Sequence, residues 1–178
     1  MVINGMRLYC HDPMVPMVTS KIYGHGVTHG LGEAGYDIRI DQTIVFDRTW
    51  YGRRRVTRYK RPFSWGESER FFGRFVLGSS MERFTMPTGL LGIVHDKSSW
   101  AREGLSVFNT VIEPGWSGYL TLELVYHGRG TLEIPAGAGI AQVIFHQVSN
   151  PVTYKGRYQN QNAGPVERIH ADDVKEAA

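Results

Sequence analysis

The sequence predicts an all-β fold, a barrel or sandwich of short strands carrying short helical pieces. Two observations predict it. From Arg74 onward, apolar–polar alternation recurs in short runs with turn residues between them, the pattern of an antiparallel barrel or sandwich. Helix suits only Ser99–Gly104, with Gly104 as its stop, and the tail Ala171–Ala178.

Length and composition bound the rest. A chain of 178 residues suits one domain, 1–178, with a sizeable core. Its 42% hydrophobic content excludes disordered and fibrous classes. The single cysteine, Cys10, excludes an internal disulfide framework and a Cys-rich zinc site. No apolar run approaches the roughly 20 residues of a membrane span. The N-terminus lacks a basic region followed by an apolar stretch, so no secretory signal is expected and the cytoplasm is the default. A net charge of +3 permits an anionic ligand without indicating nucleic acid. No repeat or low-complexity linker marks a second domain.

In chain order, residues 1–30 read as irregular, because Pro13, Pro16 and several glycines interrupt any period. His25 and His29 have the spacing of two ligands on a helix, but Gly24, Gly26 and Gly30 disfavour a helix there. Gly35 marks a turn, and Tyr36–Ile40 alternates as a half-buried strand with Asp37 and Arg39 on one face. Those two charges fit either a surface pair or a structural role beside a site. Residues 48–61, RTWYGRRRVTRYKR, interleave arginines with Trp50, Tyr51 and Tyr59. Such a run suits single-stranded nucleic acid or a solvated hairpin. Its shortness, and the lack of a nucleic-acid fold signature, favour the hairpin. SWGESERFFG then returns toward the core. FVLGSSMERFTMP reads as two short strands around Gly78, TGLLGIVHD as an apolar strand after a turn, and LTLELVYHG and TLEIPAGAGIAQVIFHQV as strands broken by Gly and Pro.

The densest chemistry lies between His95 and Glu123. Lys97, Ser98, Ser99 and Arg102 stand close together, and the turn Glu113–Gly118 leads into an alternating strand. On that strand Leu122, Leu124 and Tyr126 point one way and Thr121, Glu123 and Val125 the other. A carboxylate so flanked is either a solvent-facing surface group or one partly desolvated, whose raised pKa suits proton transfer. The serines and cations suit a capped helix start, a phosphate site, or both. No GxSxG elbow supports a serine triad, and no HxE with PCxxC supports a zinc deaminase.

Four blocks in order, DKSSWAREG, TVIEPGWSGYLTLEL, GIAQVIF and TYKGRYQNQ, resemble the dCTP deaminases of the trimeric dUTPase-like superfamily. The resemblance covers about residues 75–165, with GYDIRI at 35–40 as a weaker echo. Segments 1–34 and 47–72 have no assigned counterpart, and about 165–178 forms a C-terminal tail. The resemblance implies a distorted all-β jelly roll of the dUTPase-like type, assembled as a homotrimer with shared active sites. It implies zinc-independent hydrolytic deamination of dCTP to dUTP and ammonia, with Mg2+ carried on the triphosphate and no metal held by the protein. Catalytic roles fall on Glu123 as general acid/base, Ser98 as the hydroxyl holding the water, and Arg102 as the adjacent charge. Nucleotide contacts fall on Lys97, Ser98, Ser99 and Arg102, on Glu113 near the deoxyribose, and on Thr121, Leu122 and Glu123 around the base. Gln142, Tyr154, Arg157 and Gln161 would close over the triphosphate.

The chain departs from that pattern at Asp96, where a glycine usually opens the KSS block. It also departs at Glu113, often Asp, and at Arg157, often Lys. Two alternatives stand. One is dUTP diphosphatase activity, alone or with deamination; Glu123, and a tail without a Gly-Ser arm, weigh against it as the sole activity. The other is a silent nucleotide- or nucleic-acid-binding relative using 48–61, against which Ser98, Arg102 and Glu123 together stand. Nucleic acid is not the expected partner.

Overall fold

Apolar alternation becomes strand through most of the chain in the computed structural model, which describes residues 1–60 and 67–170. In chain order the elements are β1 (Val2–Ile3), α1 (Gly5–His11), β2 (Met14–Val15), β3 (Lys21–Gly24), β4 (Val27–Leu31), β5 (Tyr36–Arg39), β6 (Thr43–Arg48), β7 (Arg54–Tyr59), β8 (Ser68–Phe72), β9 (Phe75–Thr85), β10 (Leu90–Asp96), α2 (Ser98–Arg102), β11 (Leu105–Val107), β12 (Val111–Ile112), β13 (Ser117–Tyr126), β14 (Leu132–Ile134) and β15 (Gly139–Gln147). They form three sheets, ordered β12-β10-β15-β5-β4-β3 with β1 also on β15, β11-β13-β9-β2, and β14-β6-β7-β8. Their apolar faces meet in one core, whose largest fully buried side chains include Tyr36, Phe84 and Phe145. The mostly β architecture with short helices is the expected class. The tail Ala171–Ala178, expected as a helix, lies outside the described residues, as does 61–66.

The N-terminal thirty residues correct the sequence reading, because they are ordered rather than irregular. α1 buries only Leu8, too little to produce a helical period in the sequence. It ends where Asp12 turns left-handed at φ 44° and donates its N–H to the Tyr9 carbonyl. The glycines around His25 do not break structure; they make a hairpin. His25 and Gly26 carry φ of 56° and 77°, as a two-residue I′ turn between β3 and β4 requires.

β5 is not half-buried. It lies inside the large sheet between β15 and β4, and Tyr36, Asp37 and Ile38 are all buried. Asp37 and Arg39 do not pair with each other at the surface. Asp37 accepts from Lys97, whose ammonium also donates to Thr28 Oγ1 at 3.0 Å. Arg39 reaches across to β9, where its Nε donates to Glu82 Oε1 at 2.8 Å and its backbone N–H to Oε2 at 2.9 Å.

β9 also differs from expectation, as one eleven-residue strand rather than two. Gly78 does not interrupt it. A Cβ at Gly78 would stand 3.1 Å from Ile40 Cδ1, so the missing side chain admits Ile40, just after β5, against β9. β13 pairs with β9 along most of its length, with a bulge between Tyr119 and Thr121 where Leu120 N–H turns to Ser80 Oγ at 2.9 Å.

The Glu82 side chain is fully buried, at 0% exposure. Removing one partner of such a pair strands the other charge in the interior. Glu82→Ala should therefore lower unfolding free energy by about 3–5 kcal/mol in chemical denaturation. A loss under about 1 kcal/mol would show that Arg39 finds water instead.

Candidate functional site

The alternation of β13 separates two environments. Leu122, Leu124 and Tyr126 face the core, while Thr121, Glu123 and Val125 face outward. Outward does not mean solvated. Leu77, which stands opposite Glu123 on β9, lines a cleft of about 480 Å3 together with Phe75, Trp116 and the β12 residues Val111 and Ile112. That volume suits a small-molecule ligand. Its polar groups are Glu123 and Thr121 on β13, Thr110 and Glu113 to either side of β12, and Tyr158, Gln161, Glu167 and Arg168 from the C-terminal segment.

Burial in this apolar setting pushes the Glu123 carboxyl above its ordinary range, opposed only by a hydrogen bond from its own backbone. Among the described residues, no cation counters the shift. The carboxyl is thus poised nearer neutrality than an exposed glutamate, which suits accepting and returning a proton.

The C-terminal segment lies along the start of β13 and walls the cleft. Trp116 Nε1 donates to the Tyr158 carbonyl at 2.6 Å, Asn160 N–H to Ser117 O at 2.8 Å, Tyr119 N–H to Gln161 O at 3.1 Å, and Val166 N–H to Thr121 Oγ1 at 3.0 Å. Gly118 permits this approach. Its φ is 141°, and a Cβ there would sit 2.6 Å from Gln161 N.

The single chain brings together some of the residues singled out in the sequence and leaves others apart. Glu113, Thr121, Glu123 and Gln161 share the cleft. Leu122 is beside them in sequence but 1% exposed, with its side chain in the core. Ser98, Ser99 and Arg102 are exposed on α2 and do not line the cleft. α2 is seated by Trp100, whose Nε1 donates to Gly139 O at 2.7 Å. Lys97 precedes α2 and is buried against Asp37, so its charge is already neutralised. Gln142 sits on β15 opposite both His95 and Asp37. Tyr154 N–H is bound by the Pro114 carbonyl at 2.8 Å, beside the turn rather than in the cleft. Arg157 Nη1 donates to Ile169 O at 2.7 Å and so holds the C-terminal segment to itself. Asp96 has a local structural role, since its Oδ1 accepts from Val107 N–H at 2.7 Å and closes the turn around α2.

Sequence reasoning missed the apolar wall of Phe75, Leu77 and Trp116, and the contribution of Arg168. Leu77 alternates with buried Val76 and Gly78, a pattern that could have flagged it. Arg168 carried no local signal, because the tertiary course of the segment brings it to the cleft. Among the described residues, no group of three or more His, Cys, Asp or Glu side chains converges as a metal cage.

The dCTP deaminase-like family model matches residues 25–148. A curated dCTP deaminase of Roseiflexus castenholzii is 34% identical over 157 residues, spanning 82% of this chain and 85% of that protein. Another, of Campylobacter curvus, is 32% identical over 170 residues, spanning 88% and 89%. Among solved structures, the native EIAV dUTPase is similar at 17% identity and a TM-score of 0.49, over 82% of this chain and 98% of that one.

Because the Glu123 pKa is raised on folding, the native state holds its proton more tightly than the unfolded chain does. This contribution is fully present below the ordinary carboxyl range and is lost as pH rises through the raised value. Glu123→Gln should therefore unfold at a higher temperature than the parent at about pH 8, and show no such gain at about pH 4. Thermal unfolding at the two pH values checks this; an equal effect at both would place the carboxylate in solvent.

Proposed function

The chain belongs to the dCTP deaminase-like family, and from that premise we propose that it hydrolyses the 4-amino group of dCTP, releasing dUTP and ammonia. The observation that carries the reading is Glu123, a carboxyl held above its ordinary range in an apolar cleft of nucleoside size. Glu123 takes a proton from water as the oxygen attacks C4 of the cytosine. A proton passes to N3, giving a tetrahedral carbon bearing both hydroxyl and amine. Glu123 then moves the hydroxyl proton to the amine, the C4–N bond breaks, and ammonia leaves. Walls of Phe75, Leu77 and Trp116 limit the water around the half-buried carboxyl and strengthen local dipoles. Magnesium arrives with the triphosphate as part of the substrate. The reaction belongs to the cytoplasm, where deoxynucleoside triphosphates are found.

Ser98 and Arg102 complete the site from a neighbouring copy in a homotrimer. Two observations support this assignment. They are exposed on α2 and outside the cleft of their own chain. In addition, the outward face of the large sheet carries Leu91, Ile93 and Ile144 only partly covered, beside exposed Val111. Such a face suits burial against a second copy. In the assembly, the Ser98 hydroxyl holds the attacking water, Arg102 and Ser99 meet charge developing near it, and Gln142, Tyr154, Arg157 and Gln161 meet the phosphates. Lys97 acts through its pair with Asp37, which fixes where α2 begins.

Incubation with dCTP and magnesium, with ammonia and pyrophosphate assayed in parallel, tests the reading. Ammonia with dUTP is expected; ammonia together with pyrophosphate and dUMP would add diphosphatase chemistry, and neither product would overturn the proposal. Glu123→Gln should cut ammonia release by about 10²–10⁴-fold while dCTP still binds. Shared sites predict complementation. Glu123→Gln and Arg102→Ala chains, each inactive alone, should regain part of the activity when co-assembled, and no recovery would place the two residues' work in a single chain.

A further inference from the structure

The β6–β7 hairpin gathers arginines that the cleft does not use. Arg48 and Arg54 stand opposite each other across it. Arg74, just before β9, and Arg129, between β13 and β14, join them around a small depression lined also by Phe46 and Tyr126. The carboxylate on its edge, Asp47, is already paired with Arg55. Among the described residues, no ion pair links Arg48, Arg54, Arg74 or Arg129 to an acid. Backbone carbonyls hold two of them in place: Arg54 Nη1 donates to Gly128 O at 3.1 Å, and Arg48 Nη1 to Gly52 O at 2.9 Å. Burial, and then the charges of Arg74, Arg48 and Arg129, hold the Arg54 guanidinium below its ordinary range. Like charges brought together without a carboxylate call for an anion, and the guanidinium fork matches phosphate oxygens.

Aromatic rings surround the same end. Trp50 is 95% exposed at the hairpin tip, with Tyr51 edge-on to it at 5.4 Å. Phe72 is exposed on β8, and the Arg53 guanidinium lies over its ring at 3.9 Å. The depression holds about 10 Å3, room for little more than a water-sized group. A pocket that encloses a small-molecule ligand needs roughly 300 Å3 or more. A base therefore cannot be enclosed here; it can only lie on the outside, against the rings. Free, unpaired bases along a phosphate chain meet both requirements. Tyr126, in the depression, and Glu123 point to opposite faces of β13, so this surface is separate from the cleft.

We propose that the hairpin end binds single-stranded nucleic acid, with phosphates on Arg48, Arg54, Arg74 and Arg129 and bases stacked on Trp50, Tyr51 and Phe72. The sequence favoured a solvated hairpin because the 48–61 run is short and carries no nucleic-acid fold signature; Arg74 and Arg129, remote from it in the chain, join it only in the fold.

Fluorescence anisotropy of a labelled oligothymidine with the full chain, across a salt series, tests this. Four neutralised phosphates predict a log–log slope of affinity against salt of about −2.8. The double variant Arg74→Glu/Arg129→Glu changes two exposed side chains and should roughly halve that slope. Trp50→Ala should weaken binding by roughly tenfold with the slope unchanged. A duplex of equal length should bind more weakly than the single strand, and dCTP turnover should be unaffected in every variant. The proposal is overturned by absence of binding at low salt, by binding indifferent to these variants, or by equal affinity for the duplex. A matching loss of dCTP turnover would also overturn it, since the arginines would then serve substrate capture.

Discussion

One antiparallel ladder, β13 against β9, governs the arrangement of everything else. Period-two geometry forces each strand to present its residues to two different sides. On the inner side, Val76, Phe84, Leu122, Leu124 and Tyr126 enter the core. On the outer side, Leu77 stands opposite Glu123 and Phe75 opposite Val125, and Phe75, Leu77, Thr121 and Glu123 line the floor of the cleft. A slip of one residue would drive Glu123 into the core and expose the leucines. The bulge at Leu120 and its bond to Ser80 pin the register, so the same ladder that builds the core also aims the carboxylate.

Two buried ion pairs lock this ladder to the large sheet and to α2. Arg39–Glu82 joins β5 to β9, and Lys97–Asp37 joins the residue before α2 to β5. Burying charges in this way is not efficient for stability alone, because desolvation opposes the Coulombic attraction. What such pairs do supply is position, since separating either charge from its partner would strand it in the interior. Lys97 is the clearest case. Its ammonium turns inward to Asp37 and Thr28, while the next residue, Ser98, opens the helix that carries the exposed hydroxyls and Arg102.

The cleft owes its chemistry to enclosure. A glutamate on a strand's outer face is ordinarily solvated and acidic. Here β9, the Trp116 turn and the C-terminal segment half-bury one, and its proton affinity rises. The segment from Tyr158 to Val166 takes part only because Gly118 lets Gln161 approach the backbone of β13. Desolvation that tunes Glu123 for proton transfer also disfavours its charged form, so the residue with the proposed catalytic role carries a cost in stability at neutral pH.

The sequence by itself determined the strand-rich class, the short helix after Lys97, the two-sided character of β13 and the family, because period-two alternation and ordered motif blocks are local properties of the chain. Glu123 was legible as a candidate for the same reason. The tertiary structure decided what local pattern cannot encode. It made ordered hairpin and helix of the first thirty residues, buried both faces of β5, turned Lys97 away from solvent, and kept Leu122 in the core while Glu123 beside it faced the cleft. Burial and pairing depend on segments far apart in the chain. Arg39 finds Glu82 across 43 residues and Lys97 finds Asp37 across 60. No window of sequence contains both members of such a pair, so only the fold could say whether a charge is solvated, paired or poised to move a proton.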